Sequence, residues 1–98
     1  MKKNRGGNIS LKQAMGMMNQ RNTILVDVKS EDEYAQFHLN RSINMPIENF
    51  KKMVPKVIKN KNQRVILYCS SGTRSLAAYE MLIDMGYYYV YNIAGGVE

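Results

Sequence analysis

The sequence predicts an α/β fold of three layers, with a mostly parallel central sheet of four to five strands and helices on both faces. Three observations predict it. Segments with apolar residues at helical spacing alternate with short β-branched runs along the chain. The two richest runs, Thr23-Ile24-Leu25-Val26-Asp27-Val28 and Val65-Ile66-Leu67-Tyr68, are nearly continuous in apolar residues, the pattern of strands buried on both faces of a parallel sheet. A length of 98 residues at 45% hydrophobic composition allows one domain with one modest core.

In chain order, residues 1–8 read as a flexible lead-in and 9–98 as the single domain. The basic start Met1-Lys2-Lys3-Asn4-Arg5 runs into Gly6-Gly7-Asn8, where a secretory signal would need an apolar segment, and no apolar run is long enough to cross a bilayer. A cytoplasmic chain with no membrane partner is expected. Ser10 caps a first helix that puts Leu11, Ala14, Met15 and Met18 on one inward face. Asp27 is the one polar residue in its strand; it is read as hydrogen-bonding the neighbouring loop, with service to a site as the alternative.

Ser30-Glu31-Asp32-Glu33 has the spacing of a capping box and opens a helix to about Phe37. His38 to Pro46 is a loop with an extended piece at Ser42 to Asn44. His38 is the only histidine, and nothing local orients it toward a nucleophile, so it is given a structural hydrogen bond and not the role of general base. Ile47 to Met53 reads as a short helix with Phe50, Met53 and Val54 inward, which Pro55 should break or restart. After the strand Arg64–Tyr68 comes a helix to Met85, in which Ala78, Met81, Leu82 and Met85 share a face. Gly86 is its C-cap, and Tyr87 to Ile93 is the last strand.

The net charge is +6, and Lys51, Lys52, Lys56, Lys59, Lys61 and Arg64 form a stretch without an acid. Such a stretch reads as a solvated surface, with a docking face for an acidic partner as the sharper alternative. The tyrosines of the last strand come without an RNP-like motif, so no nucleic acid is expected as a partner.

The chemistry is expected between strand and helix, at Tyr68-Cys69-Ser70-Ser71-Gly72-Thr73-Arg74-Ser75. Cys69 is the only cysteine, which excludes an intramolecular disulfide, a CxxC pair and a resolving cysteine within the chain. Any sulfur chemistry must hand on to another molecule. From Cys69 through Arg74 the loop has six residues, a C-x4-R spacing. Curled around the sulfur, it turns the amides of Ser70 to Ser75 inward as an anion-binding nest, with Gly72 relieving the backbone. The consequences are a depressed thiol pKa and a cradle for a negatively charged atom on Cys69, such as the outer sulfur of a persulfide. Loops that wrap a tetrahedral oxyanion usually need one more residue, C-x5-R, and phosphatase-like loops usually carry histidine where Tyr68 stands. A merely packing cysteine would not need the glycine, arginine and hydroxyls that follow.

With these residues in place the chain resembles the single-domain rhodanese (thiosulfate sulfurtransferase) family over nearly its whole length. Leu25-Val26-Asp27-Val28-Lys29 is similar to the family's D-V-R strand end. Glu33-Tyr34, His38-Leu39 and Ile43-Asn44-Met45-Pro46 resemble its E-[FY]…H-I…I-N-I-P segment. Cys69-Ser70-Ser71-Gly72-Thr73-Arg74-Ser75 resembles the C-x-x-G-x-R-S active loop, and Ala94-Gly95-Gly96 the closing G-G.

The resemblance implies a rhodanese-like fold and transfer of sulfane sulfur through a Cys69 persulfide. The donor would be thiosulfate, a polysulfide or a persulfide; the acceptor a thiol, cyanide or an acceptor protein. No cofactor and no metal are implied. Arg74 would hold the loop and Ser70, Ser71, Gly72, Thr73 and Ser75 would complete it, with Arg41 and Asp27 as accessory candidates. The alternatives are a non-catalytic interaction module and a phosphatase or arsenate reductase on a related fold. Phe37 stands where the family often has glycine before histidine, Asn40-Arg41-Ser42 where it often has P-G-A, and Ser70 leaves no cation directly after the cysteine. Relatives commonly continue past the position of Glu98 into an aromatic residue and a terminal helix, which this domain is expected to lack: either the sequence is cut short there or one face of the sheet is less covered.

Overall fold

A computed structural model describes residues 4–97. In chain order the elements are β1 (Gly7–Ile9), α1 (Leu11–Met17), β2 (Thr23–Asp27), α2 (Glu31–Gln36), β3 (Ser42–Asn44), a 3-10 turn (Ile47–Asn49), α3 (Phe50–Val57), β4 (Arg64–Tyr68), α4 (Thr73–Asp84) and β5 (Tyr89–Ile93). The strands form one sheet in the order β1-β5-β4-β2-β3, with every pairing parallel. The two apolar runs are its central pair, in register from Thr23 beside Arg64 to Asp27 beside Tyr68.

Alternation along the strands splits the core into two layers. Val26, Val28, Val65, Leu67 and Val90 meet Phe50, Val54, Ile58, Ala78 and Leu82 from α3, its C-cap and α4. On the other face Leu25, Ile66, Tyr68 and Ile93 pack with Ala14 and Met18. From β2 the chain passes through α2 to β3 on one side, and from β4 through α4 to β5 on the other. The carboxyl ends of β2 and β4 therefore flank a topological switch point, where the outgoing loops diverge and leave a crevice.

Several expectations are corrected. Gly7 and Asn8, assigned to a lead-in, belong to β1, because the open edge of β5 offers backbone partners from Tyr91 to Ile93. Met1–Lys3 and Glu98 lie outside the described residues. On α1 only Ala14 and Met18 of the four expected core residues are buried, while Leu11 and Met15 are 41% and 38% exposed. The inward face is rotated toward Met17, which packs on the same cluster, since small Ala14 lets the helix sit close to the sheet. Pro55 does not interrupt α3, which runs through it. The carbonyl that loses its partner belongs to exposed Lys51, where water can reach it. The last strand starts at Tyr89, two residues later than expected, because α4 ends in a Schellman motif: Tyr87 N donates to Leu82 O and Gly86 N to Ile83 O, both at 3.0 Å, with Gly86 at φ 91°. Among the described residues no helix is long and apolar enough to cross a membrane.

Phe50 is fully buried and Met15 is not. Phe50→Ala should therefore cost about 3–5 kcal/mol and Met15→Ala about 0.5 kcal/mol or less, read from urea unfolding midpoints.

Candidate active site

Cys69 follows the last residue of β4, and α4 starts four residues later at Thr73. A helix start leaves backbone N–H groups without partners, and a Ser, Thr, Asp or Asn side chain usually takes one. Here the N-cap is Gly72, at φ 95° and with no side chain to offer. The cysteine sulfur takes the place of the cap: Gly72 N and Ser75 N donate to Sγ at 3.1 and 3.3 Å. Ser75 Oγ lies 3.5 Å from Sγ and donates to Gly72 O at 3.2 Å. Burial alone would push the thiol pKa up. The Ser75 hydroxyl and the amides of Ser75, Gly72 and Ser71 outweigh it, and the thiol lies below its ordinary value.

The residue has no exposed surface, so the sulfur is enclosed by its own loop with the amides facing in. A reaction at Sγ requires the rim to shift.

Two elements hold the loop in place. Arg74 makes a bidentate pair with Glu33, at 2.7 and 2.9 Å, and reaches Ser70 Oγ at 3.3 Å. Glu33 is the capping-box residue of α2 and also receives Ser30 N at 3.1 Å. Arg74 first, and the Ser30 bonds after it, hold the Glu33 carboxyl down at about 2 against an ordinary 4.5. Glu33 in turn raises Arg74. From the other side the closing glycines press on the ring. A Cβ at Gly96, whose φ is 77°, would stand 2.3 Å from Ser70 O, and Val97 N donates to Cys69 O at 2.8 Å.

Asp27 is fully buried below this ring. Its two oxygens each meet Lys29 at 2.8 Å, through the backbone N and through Nζ. Lys29 Nζ also donates to Phe37 O at 3.2 Å and lies 5.0 Å above the Tyr68 ring. The structural reading of Asp27 holds. Arg41 is a correction: it precedes β3, at the amino end of the strands, and its guanidinium donates to Met18 O at 3.2 Å. That carbonyl closes α1, where helix polarity attracts a cation, so Arg41 serves α1 and not the loop. His38 is exposed, stacked on Tyr34 at 3.8 Å and bonded through Nδ1 to Tyr34 O at 2.6 Å, consistent with a structural role. The hydroxyls of Ser71 and Thr73 stand 3.5 Å apart on the exposed rim. One cleft beside the loop is lined by Lys29, Glu33, Gln36, Phe37, Ser70 and Val97.

The model of the rhodanese-like domain matches residues 10–98. The chain belongs to this family. Among its relatives, the thiosulfate sulfurtransferase PspE of Escherichia coli is 37% identical over 74% of this chain and 69% of its own length. A tRNA uridine(34) hydroxylase of Buchnera aphidicola is 31% identical over 91% of this chain, which spans only 29% of that protein. The human single-domain sulfurtransferase TSTD1 shares the rhodanese fold at a TM-score of 0.81, with 21% identity, over 91% of this chain and 89% of that one.

Sequence reasoning on this rhodanese domain missed Glu33 as the partner of Arg74, 41 residues away, for which no local signal exists. Lys29 was legible in principle, since strand alternation sets it on the same side as Asp27.

Cys69 should titrate below the ordinary thiol range by its ultraviolet thiolate absorbance, and Ser75→Ala should move that midpoint upward. The Glu33 carboxyl should titrate near 2 by NMR. Because its folded value is depressed, the stability it contributes is complete above about 4.5 and is lost as pH falls toward 2.

Proposed function

We propose that this chain is a sulfurtransferase that carries sulfane sulfur as a Cys69 persulfide. The observation that supports it most is the convergence of the Gly72 and Ser75 amides on the sulfur of the chain's only cysteine. Thiolate is the nucleophilic form, and the loop favours it. In the loading step the Cys69 thiolate attacks the outer sulfur of the donor, a sulfur–sulfur bond forms, and the donor's own bond to that sulfur breaks with its electron pair. Thiosulfate thus leaves as sulfite. In the unloading step an acceptor thiolate or cyanide attacks the outer sulfur of the persulfide, and Cys69 returns as thiolate. With no second cysteine the acceptor comes from outside the chain.

The negative outer sulfur of the persulfide needs the donors that the thiolate uses. Charge-assisted hydrogen bonds of this kind contribute about 1.5–3 kcal/mol each. Arg74 is tied to Glu33, and its role here is to hold the ring. The name of the PspE relative supports this reading, and it comes to this chain as a proposal.

Incubation with thiosulfate or an organic sulfane donor, followed by intact mass spectrometry, should add one sulfur atom to the protein. Cyanide should remove it as thiocyanate, and Cys69→Ser should abolish it. A protein that never loads, or one that turns over p-nitrophenyl phosphate instead, would overturn the reading.

A further inference from the structure

The surface around the loop bears on which donor it takes, an inference that rests on the sulfurtransferase reading. The cleft that reaches the loop at Ser70 has a volume of about 260 Å³, room for a small organic group, and is walled by Phe37, Val97, Gln36 and Lys29, with Glu33 at one side. Phe37 is 48% exposed, so about half of it is open apolar surface. Its backbone is anchored beside the loop. Its carbonyl accepts from Lys29 Nζ at 3.2 Å, and the same ammonium lies 5.5 Å from the ring centroid.

The charges at this cleft are already matched. Lys29 is buried and spent on Asp27 at 2.8 Å. Arg74 is spent on both oxygens of Glu33. The residue after the cysteine is Ser70, which brings no cation. A dianion such as thiosulfate meets the loop amides, but finds no unpaired cation among the residues lining the cleft. A donor with a single charge and an apolar group leaves less unpaired charge and covers the Phe37 ring.

We infer that the cleft of Phe37, Gln36, Val97 and Ser70 seats the apolar group of a monoanionic organic sulfane-sulfur donor, with Phe37 as the residue that sets this specificity. The step balances as it does for thiosulfate. The Cys69 thiolate bonds to the outer sulfur of a thiosulfonate, the bond from that sulfur to the sulfonyl sulfur breaks, and the sulfinate leaves with the electron pair and the charge.

The test measures kcat/KM for loading by benzenethiosulfonate, methanethiosulfonate and thiosulfate, each divided by its rate with a free small thiol so that intrinsic reactivity cancels. The wild-type protein should prefer benzenethiosulfonate over methanethiosulfonate by about ten-fold, and both over thiosulfate. Phe37→Ala should remove most of the preference for the aryl donor, and Phe37→Leu, which keeps apolar surface without the ring, should retain more of it than alanine does. Equal loading by the two thiosulfonates, a ratio untouched by Phe37→Ala, or faster loading by thiosulfate would overturn the assignment. Loading by thiosulfate alone overturns only the donor class. Failure of all three donors to modify Cys69 overturns the sulfurtransferase reading and this inference with it.

Discussion

A sulfur atom serving as the cap of a helix is the constraint on which the rest of this structure depends. The first turn of α4 needs acceptors for its free N–H groups, and Cys69 Sγ accepts from Gly72 and Ser75. The more negative the acceptor, the better it serves that turn. Local helix chemistry and thiol ionisation therefore favour the same state, although burial of the side chain opposes it. Gly72 supplies the left-handed backbone, at φ 95°, that turns the chain back onto a sulfur three residues earlier.

A ring built this way is only as good as its supports, which come from three distant parts of the chain. Arg74 ties the start of α4 to the start of α2 through Glu33. An ion pair this exposed contributes little stability on its own, so its importance is geometric: a planar fork meeting a planar carboxylate fixes both orientation and distance. Asp27 and Lys29 stiffen the neighbouring strand end from inside, where both are buried and each is the other's partner. The Gly95-Gly96 turn closes the third side, and only a residue without a Cβ fits 2.3 Å from the Ser70 carbonyl. Removing either half of the buried pair would leave an uncompensated charge next to the ring, a far larger perturbation than opening the exposed one.

How much of this could be read from residues alone follows from how local each interaction is. Both capping boxes, Ser10 with Gln13 and Ser30 with Glu33, span three residues; the second was legible as a motif. The buried strands were legible because burial on both faces leaves a run with almost no polar residue. The Cys69 loop was legible because its amides, glycine and arginine are consecutive. What escaped depends on sequence-distant packing. Leu11 and Met15 have the right spacing for a core face, but the sheet meets α1 along Ala14, Met17 and Met18. Arg41 has the right charge for an anion site and sits at the wrong end of the strands. Glu33 has two roles, and the cap is the only one its neighbours reveal.

The sulfurtransferase reading asks one loop to serve two atoms in turn. In the resting state Sγ itself takes the amides of Gly72 and Ser75. Once a persulfide forms, the charge moves to an outer sulfur about 2 Å further along the bond, and donors aimed at Sγ are no longer ideally aimed. The buried, two-donor resting site is thus complementary to the thiolate, and loading has to move the rim toward the new charge. Ser75 can follow, because its hydroxyl is free to rotate between Gly72 O and Sγ. Ser70 lines the Phe37 cleft, and Arg74 and the Gly96 turn hold it from the other sides. On that reading any shift at Ser70 works against those two contacts, while the Glu33–Arg74 fork keeps the helix start fixed.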